Sequence, residues 1–504
     1  MNWKRLTALL CAVLLTGTVC LQPVSAASAA DVLQIVTDTV TGTTSAAGTS
    51  AGTADRTLQA NFGEVGITQT QSQTAAATVY IRLYTMPQDT SCSMTRVVPA
   101  SALSGEVDST VIPGKLQMVR WLDEESGNWA ATTDLSGVPA TAAVLFVQTD
   151  EASAVLYAPA VYEERENEMI EELTDCTTAL VLSTADDGVQ VSWQVENVPA
   201  GAQIEIFCTI SAADLVDWTD QAEAAAWKDL LLTGDNRWTY DGYYYRTPST
   251  YYPTGDNYFH RIPDPYITLK MLDEADSWGA VVMSVSMLDV MLELMNDAGY
   301  YPTYALSTWL QEDYGIEAGY FDTRWNADLT LGLLDAWELT GIEEFLTYAV
   351  ENGEFWLSYI PAHSTTVTSS SGAVTGLLVE DYWQPAGNAA VHTSLNHQLA
   401  EILMLYRLGD VTEQTTYTDL ADQLLDGVRA LGLEWVKSDY DLWYRIDPDG
   451  TMTGSDYQTL TYDDMYKLQQ YLVQSGRGRD AVLSALMTYK KSWMDTNGIT
   501  DYLQ

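Results

Sequence analysis

The chain reads as a multi-domain β + α protein, with N-terminal β-sandwich-like domains followed by an (α/α) toroid-like helical domain. Three observations carry this. Its 504 residues exceed one ordinary core. Apolar and polar residues alternate in short runs between residues 77 and 210, whereas after Asp235 apolar residues recur three or four apart. Finally, 26 of the 30 tyrosines and all four histidines lie after residue 239, so the side chains suited to sugar stacking and proton transfer collect in the back half.

The N-terminus carries Lys4 and Arg5, an apolar run from Leu6 to Val19, and Val24-Ser25-Ala26. A short apolar stretch ending in small residues predicts a signal peptide over 1–26, hence a secreted or cell-surface protein. Gly17-Thr18-Val19 before Cys20 is a poor context for lipid attachment. Residues 27–76, rich in Ala, Thr, Ser and Gly, read as a flexible low-complexity leader with one short helix near Asp31–Val40. Three cysteines remain after cleavage, and both a Cys176–Cys208 bridge and free thiols at Cys92, Cys176 and Cys208 stay open.

A β-rich domain is expected over 77–165, from Val79–Tyr84, Leu116–Trp121 and Ala143–Gln148. The charged segment Glu163–Glu172 would separate it from a small β-sandwich-like segment over 173–230. There Gly188–Val195 alternates, Asn197–Ala202 turns the chain at Pro199 and Gly201, and Ile204–Ile210 returns it. Such a segment could bind carbohydrate, but the same pattern is more often a spacer.

Helical periodicity fills 235–504: Trp278–Asn296, Trp325–Thr340, Ser394–Leu408, Leu420–Leu431, Asp464–Gln474 and Asp480–Trp493. Gly299, Gly341, Gly409 and Gly476 follow such stretches and read as left-handed caps between antiparallel helices. Repeated helical hairpins with aromatic-rich connections suggest a ring of helices.

The formal net charge is −46, and loss of Lys4 and Arg5 takes it to about −48. Such a surface repels nucleic acid and anionic lipid. No segment after the signal is long and apolar enough to insert in a membrane. No cofactor is expected. His392 and His397, five apart, do not match helical metal-ligand spacing, and Asp447-Pro448-Asp449-Gly450 reads as a turn. Nothing in the sequence fixes an oligomeric state.

Three segments concentrate carboxylates and tyrosines beside helices: Glu380-Asp381-Tyr382-Trp383 running to Ser394-Leu395-Asn396-His397, Asp439-Tyr440-Asp441 with Tyr444-Arg445, and Asp456-Tyr457-Gln458-Thr459 before Leu468-Gln469. A fourth cluster, Trp238–Arg246 and Tyr258–Pro263, makes His260 and Arg261 candidate substrate contacts.

The order acidic-acidic-Tyr, Ser-x-Asn at a helix start, a Tyr/Asp loop, then Asp-Tyr-x-Thr before a Leu-Gln helix resembles the C-terminal domain of D-glucuronyl C5-epimerases, over roughly residues 300–495. The resemblance implies that tyrosines and a glutamate flank C5 of a uronate, one group removing the proton and another returning it to the opposite face. Carried over by position, the carboxylate falls on Glu380 or Asp381, with Glu380 preferred, and the phenols on Tyr382, Tyr444 and Tyr457. Arg445 and Arg324 are candidates to grip the substrate carboxylate, with Asn396 and Trp383 as further contacts. Gln458 and Thr461 stand where the family has histidine.

The expected partner is a polysaccharide or other glycan. A polysaccharide lyase would use the same carbanion. A glycoside hydrolase would use two of Glu380, Asp381, Asp456 and Asp464. A non-catalytic glycan-binding surface protein would need the fold alone, with Tyr444 and Tyr457 simply packed between helices.

Overall fold

The computed structural model describes residues 36–44, 50–60, 63–73, 77–86, 105–123, 125–232, 236–239, 242–263, 266–273 and 277–503. The expected signal peptide and Cys92 lie outside these residues. Within the expected leader the chain is not featureless: β1 (Val36–Thr44), β2 (Ser50–Ala60) and β3 (Gly63–Gln73) pair in antiparallel order. The helix expected near 31–40 is replaced from Val36 onward by β1. Threonine recurs through all three strands, and its branched Cβ favours extended backbone over helix.

The remaining strands of the front half are β4 (Ala77–Met86), β5 (Gly105–Pro113), β6 (Leu116–Asp123), β7 (Asn128–Thr132), β8 (Val144–Thr149), β9 (Ser153–Tyr157), β10 (Ala160–Arg165), β11 (Met169–Glu172), β12 (Thr177–Ala185), β13 (Gly188–Glu196) and β14 (Ala202–Ser211). The charged stretch expected as a separator is the β10–β11 hairpin, with Arg165 bridging Glu163 and Glu171. Nor are 77–165 and 173–230 separate units. β14 runs parallel to β4, while its other edge takes β10 near Ile204 and β9 near Ile210. β5 pairs β13, which also pairs β12.

β14 is buried along its whole length, and its alternation feeds two cores. Ala202, Ile204, Ile206, Cys208 and Ile210 enter an apolar cluster shared with the β5–β13–β12 sheet. Phe207 enters the core of the helical half, as do Val144, Phe146 and Val155 from β8 and β9. One sheet therefore has a β layer on one face and helices on the other. Three further strands extend it from beyond residue 235: β15 (Asn236–Thr239), β16 (Gly242–Arg246) and β18 (Tyr258–Arg261), while β17 (Tyr251–Tyr252) pairs residues 306–307. The boundary expected at 235 thus falls inside a sheet. Cys176 and Cys208 are free thiols, which excludes the bridge between them.

The helices are α1 (Gln221–Leu232), α2 (Tyr266–Asp273), α3 (Trp278–Leu292), α4 (Thr308–Tyr314), α5 (Thr323–Thr340), α6 (Glu343–Ala362), α7 (Leu395–Thr412), α8 (Thr415–Leu431), α9 (Leu460–Gln474) and α10 (Ala481–Thr496). Successive helices pair as α2/α3, α5/α6, α7/α8 and α9/α10, and α7 lies between α5 and α9. This makes α7 the central helix, with nearly every residue from Leu395 to Gly409 buried. No helix among the described residues is long and apolar enough to cross a membrane.

Gly409 acts differently from expectation. It lies inside α7, where a Cβ would stand 2.5 Å from Thr418 Cγ2, so it admits α8 at close range. Gly353 does the same inside α6, against Leu408 and Tyr417. Gly341 caps α5 in the left-handed region as expected.

Candidate active site

The connections at one end of α5, α7 and α9 bring the phenols together. The strand Tyr320–Asp322 leads into α5 and pairs Tyr382–Trp383, placing Asp322 opposite Tyr382. Asp322 caps α5 by accepting from the Trp325 amide at 3.1 Å. Burial pushes its carboxyl up to about 8, against the pull of that amide and helped by the charge of nearby Asp381. It interacts electrostatically with Tyr251, Tyr320, Tyr382, Tyr444 and Tyr457, and so sits in the middle of five phenols. Tyr444 and Tyr457 meet edge to face at 5.8 Å, and Tyr444 stands 6.0 Å from the His392 ring.

Asp381 is the second carboxyl, fully buried. It accepts from the Ser394 amide at 2.9 Å and from the Ser394 hydroxyl. His392 Nε2 lies 3.2 Å from its Oδ2, and His397 Nδ1 lies 3.8 Å from the same oxygen. Burial acts to raise Asp381, but the His397 and His392 rings and the Ser394 hydroxyl outweigh it and hold the group below the ordinary carboxylate range. Burial lowers His397 to about 4, so it is a neutral ring near pH 7, with Nδ1 2.8 Å from the Thr323 hydroxyl. The structure thus gives one carboxyl protonated at neutral pH and a neighbour that is ionised, the separation that acid–base chemistry needs.

His392 extends the second carboxyl outward. Its Nδ1 lies 2.7 Å from the Tyr314 hydroxyl and 3.5 Å from Arg445 Nη1. A guanidinium can only donate, so Nδ1 is the bare, accepting nitrogen and the proton sits on Nε2, toward Asp381. Asp381, His392 and Tyr314 therefore form a line along which the Tyr314 proton can move inward. Arg445 is half-buried, donates through Nε to the Thr453 hydroxyl at 3.2 Å, pairs with Asp447 Oδ1 at 3.0 Å, and is a cation beside Tyr314. Trp309 stacks on His392 at 6.1 Å and meets Tyr382 edge to face.

Burial raises Tyr314, Tyr382, Tyr444 and Tyr457 alike. At rest they are neutral hydrogen-bond donors. A phenol here becomes a base only by passing its proton to a neighbour, and Tyr314 has one within hydrogen-bond distance.

Several expected site residues fall elsewhere. Glu380 faces His363 Nδ1 at 3.5 Å, on the side where Trp383 joins Tyr300, Phe355, Tyr359 and His363. The chain bends at Asp381, and that bend turns Asp381 and Tyr382 toward His392 and His397 instead. Arg324 is held by Asp328 at 2.6 Å and bidentately by Asp464, with a further bond to the Asn396 carbonyl. Those carboxylates already neutralise it, so it orders α5 against α7 and α9 rather than gripping a substrate. Asn396 is buried beside it, its Oδ1 without a hydrogen-bond partner among the described residues. His260 is buried in a stack with Tyr251 at 4.9 Å, and burial lowers it to about 3, which leaves it no substrate contact. Arg261 is tied to Glu168 and the Tyr244 hydroxyl on β16. Asp456 is committed to Lys490, and Asp464 to Arg324.

Tyr314 and Asp322 are site residues that the sequence did not single out, and His392 was weighed there only as a metal ligand. Asp322 carries the one local signal, a capping residue ahead of an apolar-periodic helix. Tyr314 and His392 are 78 positions apart, and no local pattern links them.

Sequence comparison finds no matching family and no matching curated protein. Among solved structures, a D-mannose isomerase aligns at 15% identity over 46% of this chain and 59% of that chain, with a TM-score of 0.33. A family 76 glycoside hydrolase from a bovine Bacteroides thetaiotaomicron strain aligns at 10% identity over 78% and 74%, with a TM-score of 0.38. A cellobiose 2-epimerase from Bacillus thermoamylovorans aligns at 12% identity over 46% and 59%, with a TM-score of 0.30. The chain spans about three fifths of the isomerase and of the epimerase it matches.

Proposed function

We propose that this protein is an exported, glycan-active enzyme that abstracts and returns the C5 proton of a uronate unit. The observation that carries the reading is the line Asp381–His392–Tyr314 with Arg445 beside its outer end. Arg445 binds the uronate carboxylate and stabilises the charge that moves onto it as C5 loses its proton. Tyr314, having passed its proton to His392, takes the C5 proton, and Asp381 stabilises the resulting imidazolium. Tyr457, half exposed and backed by Tyr444, returns a proton to the other face. Two groups are required, because one base returning its own proton restores the starting sugar.

The test is incubation of the purified protein with a glucuronate polymer in deuterium oxide. Deuterium at C5 supports the reading, and an unsaturated, ultraviolet-absorbing end shifts it to a lyase. A second reading is favoured by the two carboxyls held in opposite protonation states: glycoside hydrolysis with Asp322 as the acid and Asp381 as the base. New reducing ends without unsaturation would select it. Failure of all three on a panel of uronate-containing and neutral glycans removes the enzyme reading.

A further inference from the structure

A cavity of about 470 Å³ opens on the helical face of the large sheet, between β8, the loop after β14, α1 and the start of α3. None of its lining residues belongs to the phenol cluster. Its size falls in the range of small-ligand pockets, roughly 300–1,000 Å³. Trp218 and Trp278 supply aromatic walls. Trp218 is fixed by edge-to-face contacts with Trp129 at 4.9 Å and Phe146 at 5.1 Å, and by the Arg120 guanidinium 4.9 Å above its ring. A wall held this firmly presents its remaining surface at low entropic cost to a flat ligand.

The polar lining is almost all acceptor. Asp214 takes one bond from the Gln148 amide at 2.9 Å, and Asp217 takes two from Thr219, each through Oδ1 alone. Glu223 is 6% exposed, and its Oε1 has no hydrogen-bond partner among the described residues. Burial raises its carboxyl, with hydrogen bonds from Ser277 and the backbone at Asp217 acting the other way and nearby Asp217 and Asp220 adding to the rise. Among the described residues no lysine or arginine lines the cavity. A buried carboxylate oxygen with no donor is costly unless something else supplies one.

We propose that this cavity is a second glycan-binding site, distinct from the catalytic cluster, that takes a sugar ring carrying hydrogen-bond donors and no carboxylate. The ring stacks against Trp218 and Trp278, and a hydroxyl or protonated amine donates to Glu223 Oε1. Three carboxylates, against the one guanidinium of Arg120 on Trp218, disfavour a uronate. The site therefore reads a different unit of a polymer from the one proposed for Tyr314 and Arg445, and it stands whether or not that chemistry is right.

Calorimetric titration of the full chain with methyl glucoside, methyl glucosaminide and methyl glucuronide tests this. The glucoside or the glucosaminide should bind and the glucuronide should not, and the stronger of the first two shows whether the donor is a hydroxyl or an ammonium. Glu223→Gln keeps the volume and removes the charge, and should weaken binding at least roughly tenfold. Asp214→Asn, at an exposed position, is a second variant that folding cannot confound and should weaken the glucosaminide. Absence of binding by both neutral and amino sugar up to about 10 mM, binding of the glucuronide as tight as theirs, or a Glu223→Gln protein with unchanged affinity would each overturn the proposal.

Discussion

Lys490 Nζ lies 2.6 Å from Asp441 Oδ1, with both side chains withdrawn from water. The same ammonium donates to the Tyr457 carbonyl at 2.6 Å and pairs with Asp456 Oδ2 at 2.7 Å. Asp441 and Asp456 stand in the loops that carry Tyr444 and Tyr457. One lysine on α10 therefore ties both loops to the helical body and sets the distance between the two phenols.

Removing that ammonium leaves two buried carboxylates facing each other. Lys490→Met should cost about 3–5 kcal/mol, the usual penalty for breaking a buried ion pair from one side. The midpoint of guanidinium unfolding measures it. A loss below about 1 kcal/mol would mean that water replaces the ammonium and that the loops do not depend on it.

Asp322 makes stability depend on pH. Its folded pKa of about 8 stands above the ordinary 3.8, so the folded state holds this proton more tightly than the unfolded chain does. Its contribution is fully present below the unfolded value and is lost progressively as pH rises from roughly 4 to 8. Asp322→Asn keeps a capping oxygen for the Trp325 amide and cannot ionise. The variant should show a flatter fall in unfolding free energy across that window, and an unchanged slope would place the proton elsewhere.

The two sides of the proposed proton transfer are separable by single phenol deletions. Tyr314→Phe and Tyr457→Phe each remove one oxygen, and each should lower C5 exchange by about 100-fold or more while leaving the unfolding midpoint nearly unchanged. Mass spectrometry of the deuterated polymer reads the first effect and denaturant titration the second. Full exchange in both variants would dismiss the assignment.

Arg445 divides binding from chemistry. Arg445→Gln should raise KM for a uronate polymer and lower kcat as well, since the charge it meets grows in the transition state. A rise in KM alone would reduce its role to ground-state binding.

Gly427 tests how the segment before Asp381 is seated. A Cβ there would stand 2.1 Å from the Leu377 carbonyl, and one on Gly376 would meet the Gly427 amide at 2.0 Å. Backbone is pressed on backbone, with no flexible side chain to yield. Gly427→Ala should therefore destabilise by about 3 kcal/mol, read from thermal or denaturant unfolding.

Much of the fold was legible because it is written locally. The alternation at Gly188–Val195 and Ile204–Ile210 became β13 and β14, and the stripe from Leu395 to Tyr406 became α7. α6 was not among the helical stretches that the sequence suggested, and it contains Gly353 and Pro361. Gly353 is a contact point for Leu408 and Tyr417, and Pro361 falls in the last turn. Of the residues that the sequence proposed for a site, Tyr444 meets Tyr457 and lies near Tyr382, and Arg445 lies near His392 and Tyr314. Arg324 was misread because nothing local shows that Asp464, 140 residues on, already holds it.

By itself the sequence determined the strand and helix periods, the crowding of phenols into the back half, and the three loops where they gather. Period and composition are properties of short windows, and short windows fix them. Tertiary structure alone decided that one sheet feeds two cores, that Asp381 rather than Glu380 turns inward, and that Tyr314 stands at the end of a line through His392. Each of those depends on which distant residue supplies the burial, the donor or the opposite charge, and that pairing exists only once the chain is folded.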